Sequence, residues 1–178
     1  TEFLSSKRPS VVPTGIEVAE LHPELFPWQA DIVRWALRKG RAAVFEDCGL
    51  GKTFQQLEWG RHVPGDVLLL APLAVGHQTE AEAARFGIDA AVSRDGSRKA
   101  KITSTNYERL HLFGVRQYSG VVLDESSILK SMDGTTKNLL ISSFAATPFR
   151  LACTATPAPN DHMELGNHAA FLGVSTMA

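Results

Sequence analysis

The chain has 178 residues, enough for one domain whose core buries roughly two-thirds of its unfolded surface. Its 18 Lys+Arg stand against 19 Asp+Glu, which excludes a global positive field and leaves any nucleic-acid contact to local basic patches and backbone amides. Two cysteines, Cys48 and Cys153, give neither a disulfide framework nor zinc-ligand spacing, no apolar run reaches the ~20 residues of a bilayer span, and the first residues lack a signal-peptide pattern, so a soluble cytoplasmic monomer with reduced thiols is expected.

Residues 1–14, with Pro9 and Pro13, read as an irregular leader, and residues 15–178 as a single domain. Over 25–39 the apolar positions Trp28, Ile32, Trp35 and Ala36 fall at helical spacing, with Pro27 suited to the first turn and Gly40 to the stop. A strand is expected over 41–46, then a glycine-punctuated turn and a helix opening on Lys52-Thr53. The apolar run 66–71, closed by Pro72, has the pattern of a strand buried on both faces, and a helix over 73–86 follows it, stopped by Gly87. Short strands are expected at 88–92 and 100–104 around the polar turn 93–98, a buried strand at 120–125, another at 150–154, and a closing helix from about 160 to 171. This alternation argues for an α/β fold: a parallel sheet with helices on both faces, in three layers. In such sheets ligands bind beyond the carboxyl ends of the strands, where the glycine turn, Asp124-Glu125 and Thr154-Ala155-Thr156 all fall.

The turn Asp47-Cys48-Gly49-Leu50-Gly51-Lys52-Thr53, between an apolar strand and a helix, has the P-loop order. Glycines let backbone N–H groups turn inward, the helix N-terminus adds its positive end, Lys52 supplies a point charge for the β/γ-phosphates, and the Thr53 hydroxyl can ligate Mg²⁺. The full pattern asks for glycine at 46, where this chain has Glu46. Asp124 and Glu125 end an apolar strand, where acids are costly unless something cationic meets them. Asp124 is the candidate Mg²⁺ acid and Glu125 the candidate base that polarises the attacking water. A plain glycine-rich helix cap and a solvated strand end are the alternatives that these residues leave open.

The ordered set of motifs resembles the first RecA-like domain of a superfamily 2 DEAD/DEAH-type helicase, within its Swi/Snf-like branch and especially the compact versions carried by bacteriophages and prophages. Leu25-Phe26-Pro27-Trp28-Gln29 resembles the Q-type motif, residues 47–53 motif I, Ala71-Pro72-Leu73 motif Ia, and Ile102 to Glu108 motif Ib. Leu123 to Lys130 resembles motif II, and Arg150 through Asn160 motif III; Glu164-Leu165 and Phe171-Leu172 match the helix that follows. The resemblance implies a RecA-like P-loop fold, ATP and Mg²⁺ as cofactors, and DNA as partner, with RNA as second choice. It implies adenine contact by Gln29, phosphate contact by Cys48, Gly49, Leu50, Gly51, Lys52 and Thr53, and hydrolysis by Glu125, Lys52 and Asp124. Pro72, Thr105 and Asn106 would meet one nucleic-acid strand, and Ser127, Thr154 and Thr156 would couple the two sites. Motif II departs from the family by reading Asp-Glu-Ser-Ser, so coupling through Ser127 must be a hydroxyl contact or run through water. No segment after Thr156 resembles the motifs of a second RecA-like domain, so a fragment, poorly active alone and completed by that domain of its parent chain, is expected. A non-catalytic nucleotide-gated scaffold, a reading kept open by Ser126-Ser127, and a small-molecule P-loop kinase are the competing functions.

Overall fold

The computed structural model describes residues 12–131, 134–158 and 165–174. Helix α1 (Pro27–Lys39) leads into β1 (Arg41–Phe45), α2 (Lys52–His62), β2 (Val67–Ala71), α3 (Gly76–Arg85), β3 (Ala90–Val92) and β4 (Ile102–Asn106). Two 3-10 turns, Tyr107–Leu112 and Val115–Gln117, precede β5 (Gly120–Asp124), α4 (Ile128–Ser131), α5 (Gly134–Ser143), β6 (Phe149–Thr154) and α6 (Leu165–Leu172). The strands form one sheet of six in the order β1-β6-β5-β2-β4-β3, and every pairing is parallel.

The alternation of side chains along β2 separates two apolar layers. Val67, Leu69 and Ala71 face a cluster with Val33, Leu37, Phe54, Leu57, Trp59 and Ala83, from α1, α2 and α3. Leu68 and Leu70 face the other, with Tyr107, Leu129, Leu140, Phe144 and Phe171, from the first 3-10 turn, α4, α5 and α6 and the turn after α5. The sheet is therefore covered on both sides, which is why β2 is buried along its whole length and carries no polar residue.

Several local features differ from the sequence expectation. In α1 the buried stripe is Gln29, Val33, Ala36 and Leu37, while Trp28 and Trp35 are 40% and 42% exposed. The helix is turned because Gln29, a polar residue, is its anchor to the loop after β1. Helix α3 starts at Gly76 rather than 73, since a turn closes first with Val75 N–H donating to the Pro72 carbonyl at 3.0 Å. The 3-10 turns and α5 were not expected; in Gly134-Thr-Thr-Lys-Asn all but Lys137 are weak helix formers and helical apolar spacing is missing, so packing of Leu140 against α6 and β5 is what makes the segment helical. Of the closing helix, Leu165–Leu172 is observed, and Pro159, Asn160 and Glu164 lie outside the described residues.

Two buried charges fix the periphery. Glu58, fully buried on α2, accepts from the His22 N–H at 2.8 Å and from Arg61 at 2.7 Å, tying the chain before α1 to α2. Arg150 of β6 is 3% exposed and donates to the carbonyls of Thr147, Ala145 and Phe171, which clamps the end of α6 against the sheet. Burial, with Arg41 alongside, lowers its pKa to about 10.

Candidate active site

Register places the key residues on one edge. Phe45 pairs with Thr154, Cys153 with Asp124, and Ala71 with Asn106, so the loop after β1, both acids and the Pro72 and Asn106 segments all leave from carboxyl ends. Strand β6 lies between β1 and β5, so at the usual spacing the loop and Asp124 start about 10 Å apart. Thr154 sits in that gap.

The loop is held by its own groups. Gly49 and Gly51 have φ of 82° and 75°, a conformation that side-chain-bearing residues rarely adopt, and a Cβ on Gly51 would stand 2.6 Å from Gln29 Nε2. Gln29, 4% exposed, accepts the Phe26 N–H at 3.0 Å and donates to the Leu50 carbonyl at 2.9 Å. Lys52 Nζ donates to the carbonyls of Glu46 at 2.8 Å and Asp47 at 2.7 Å. Gln55 Nε2 holds Glu46 Oε2 at 2.8 Å, and burial pushes the Glu46 carboxyl above the ordinary range against the pull of Gln55 and Lys52. Thr53 is the second residue of α2, and Cys48 is exposed on the loop. Beside the loop an open depression of about 290 Å³ is lined by Phe26, Trp28, Gln29, Gly49, Leu50 and Gly51.

Gln56, one turn into α2, closes the gap to the acids by donating to Asp124 Oδ1 at 2.8 Å. Burial raises the Asp124 carboxyl pKa, the Gln56 bond and the Lys52 charge oppose the rise, and the Glu125 charge adds to it. Glu125 has φ of 55°, a left-handed conformation that costs a non-glycine residue on the order of 1–3 kcal/mol and persists only where its surroundings determine it. Ser127 Oγ at 2.6 Å and Thr154 Oγ1 at 2.5 Å both donate to Glu125 Oε1, and Thr156 N–H donates to Thr154 Oγ1 at 3.0 Å. The Ser127 contact expected to reach Thr154 or Thr156 directly or through water thus runs through the carboxylate between them. On the far side of this turn, Ser126 Oγ shares a 3.0 Å hydrogen bond with His168 of α6, and Tyr107 Oη donates to the Asp124 carbonyl at 2.7 Å.

A second cleft opens on the same edge, lined by Pro72, Leu73, Gly76, His77, Val92, Ser93, Arg94, Thr105, Asn106 and Arg109. It gathers Pro72, Thr105 and Asn106 as expected and adds the first turn of α3 and the cations Arg94 and Arg109. Thr105 Oγ1 and Asn106 Oδ1 are buried without a hydrogen-bond partner among the described residues. Gln55, Gln56, Tyr107, His168, Arg94 and Arg109 were not singled out from sequence; a Gln-Gln pair just inside the helix after Lys52-Thr53 was the one available signal.

The structure is similar to the Sulfolobus solfataricus SWI2/SNF2 ATPase core in complex with dsDNA, with TM-score 0.68 and 21% identity over 88% of this chain and 37% of that one. It is similar to the Pyrococcus furiosus Hef helicase domain, with TM-score 0.70 and 17% identity over 86% and 39%. The UvsW helicase of bacteriophage T4 gives TM-score 0.68 and 14% identity over 96% of this chain and 66% of that one. The fold is that of a RecA-like helicase domain. No family model matches the chain, and no curated protein matches it. The RecA-like domain spans 37% of the first of these structures, so it corresponds to part of what they contain. Among its described residues no helix is long and apolar enough to cross a membrane.

The donor set of the site fits Mg²⁺. Thr53 hydroxyl and Asp124 carboxylate are hard oxygen donors, and no group of three or more His, Cys, Asp or Glu converges among the described residues. Mg²⁺ is commonly held in this way, by one or two carboxylates together with phosphates and water rather than by an all-protein cage.

Proposed function

We propose that the chain is the ATP-binding lobe of a nucleic-acid-dependent ATPase, a helicase or DNA translocase of the Swi/Snf-like type, which hydrolyses ATP to move on DNA when a second RecA-like lobe completes the site. The observation that carries this reading is the Gln56–Asp124 bond of 2.8 Å, which joins the helix opening on Lys52-Thr53 to the strand ending in Asp124-Glu125. In this reading the amides around Gly51 cradle the phosphates, and Lys52 leaves the Glu46 and Asp47 carbonyls for the β/γ-phosphates. Phe26 and Trp28 offer the base an aromatic flank, while the second N–H of Gln29 addresses the adenine edge. Thr53 and Asp124 hold Mg²⁺, which neutralises phosphate charge when bound. Glu125 accepts the proton of the attacking water, with Ser127 and Thr154 fixing its carboxylate.

Nucleic acid is assigned to the second cleft, where the α3 N-terminus, Arg94, Arg109 and the donors of the Thr105 hydroxyl and the Asn106 amide N–H suit phosphate contacts. The bound dsDNA of the Sulfolobus neighbour supports DNA over RNA. The deciding experiment is calorimetry of Mg-ATP on Lys52→Ala, for which binding is expected to fall below detection. Retained affinity would remove the loop, and with it the ATPase reading. Salt-dependent titration with DNA and RNA of equal length then assigns the polymer.

A further inference from the structure

Glu125 is the one described non-glycine residue with positive φ, at 55°. Its φ depends on the orientation of the peptide plane between Asp124 and Glu125. The oxygen of that same plane is the acceptor of the Tyr107 hydroxyl at 2.7 Å. Tyr107 directly follows Asn106, which lines the second cleft and whose Oδ1 is buried without a described partner. One peptide bond thus separates a residue that lines that cleft from the residue whose hydroxyl pins the backbone of the acid.

We propose that Tyr107 is a positioning residue that couples the Asn106 cleft to Glu125, holding the Asp124–Glu125 peptide in the orientation that aims the carboxylate. This rests on the ATPase reading and adds to it the route by which an occupied cleft acts on hydrolysis. The two-state element is the peptide itself. With its carbonyl on Tyr107, Glu125 takes the left-handed conformation and its Oε1 meets Ser127 and Thr154. With that bond absent, the plane is free to rotate and φ relaxes to the negative region common to side-chain-bearing residues, which withdraws the carboxylate from both hydroxyls. A ligand on Asn106 that shifts the end of β4 strengthens or loosens the Tyr107 bond. The ring is buried among Leu70, Leu110 and Leu123, so its hydroxyl moves only with its backbone. Desolvation holds the phenol well above its ordinary pKa, so it remains a donor at all working pH values.

The test is Tyr107→Phe in the intact protein, which removes one oxygen and keeps the packed ring. Turnover at saturating duplex DNA is expected to fall tenfold or more, and stimulation by DNA to approach one, with the KM for ATP and the DNA affinity within twofold of wild type. Amide exchange at residues 124–127 is expected to quicken in the variant. Unchanged stimulation with unchanged exchange overturns the proposal, as does a loss explained wholly by weaker ATP or DNA binding. A wild type that hydrolyses no ATP defeats the ATPase reading instead, and exchange alone then decides whether Tyr107 pins the peptide.

Discussion

At the Gly51 loop Lys52 is already engaged on two loop carbonyls and Gln29 on Leu50, and the buried side-chain atoms without a described partner there, Glu46 Oε1, Gln55 Oε1 and Gln56 Oε1, are acceptors, whereas the cleft at Asn106 keeps the Thr105 hydroxyl, which can donate, buried and without a partner among the described residues. The loop therefore stabilises itself, and an entering ligand must outcompete bonds to a charged amine, which favours a dense anion such as a triphosphate. The cleft instead holds a desolvated hydroxyl on Thr105, so an outside acceptor that bonds it relieves that cost. Both lie on one sheet edge, yet the first is organised by bonds within the protein and the second leaves a buried donor without a described partner.

The sharpest way to break the contrast is Gly51→Ala. The substitution demands φ of 75° from a side-chain-bearing residue and drives a Cβ to 2.6 Å from Gln29 Nε2. Nucleotide affinity is expected to drop at least tenfold in calorimetry and stability by about 2 kcal/mol in thermal unfolding, from left-handed strain and the displaced Gln29 bond. On the other side, Arg94→Ala and Arg109→Ala are each expected to weaken nucleic-acid binding across sequences and to lower the salt slope by about 1, with nucleotide affinity unchanged.

A further variant, Asp124→Asn, probes the acid between the two sites. The folded pKa of Asp124 is raised above its ordinary value of 3.8, so its contribution to stability is full below that value and is lost as pH climbs through the raised one. Asparagine mimics the protonated form and keeps an acceptor for Gln56. The variant should therefore unfold a few degrees higher than wild type at pH 7, the gap should close toward acid pH, and turnover should vanish. The smallest expected effect is Thr105→Val, which replaces a buried hydroxyl without a partner among the described residues by a methyl group. A gain of about 1 kcal/mol in urea unfolding together with weaker nucleic-acid binding is expected.

Much of the fold was legible in the chain. Continuous apolar runs such as 67–71 and 120–123 announced buried parallel strands, and Gly49, Gly51, Lys52 and Thr53 announced the loop, because those requirements are local. The half of the molecule around α5 and the 3-10 turns was not, since weak helix formers there take their conformation from Phe144, Phe171 and the sheet. Trp28 and Trp35 misled for the same reason: helical spacing identifies a face without saying which face a neighbour will cover.

The sequence by itself determined that strands and helices alternate and that the glycine turn with Lys52-Thr53 and the acidic pair leave the strands at their carboxyl ends, because period, turn chemistry and glycine conformation act within a few residues. The tertiary structure decided which side chains meet there: Gln56 on Asp124, two hydroxyls on one oxygen of Glu125, and Tyr107 on the peptide before it. Those contacts join residues far apart in the chain. They depend on β6 lying between β1 and β5, an order set by the packing of the whole sheet that no single segment encodes.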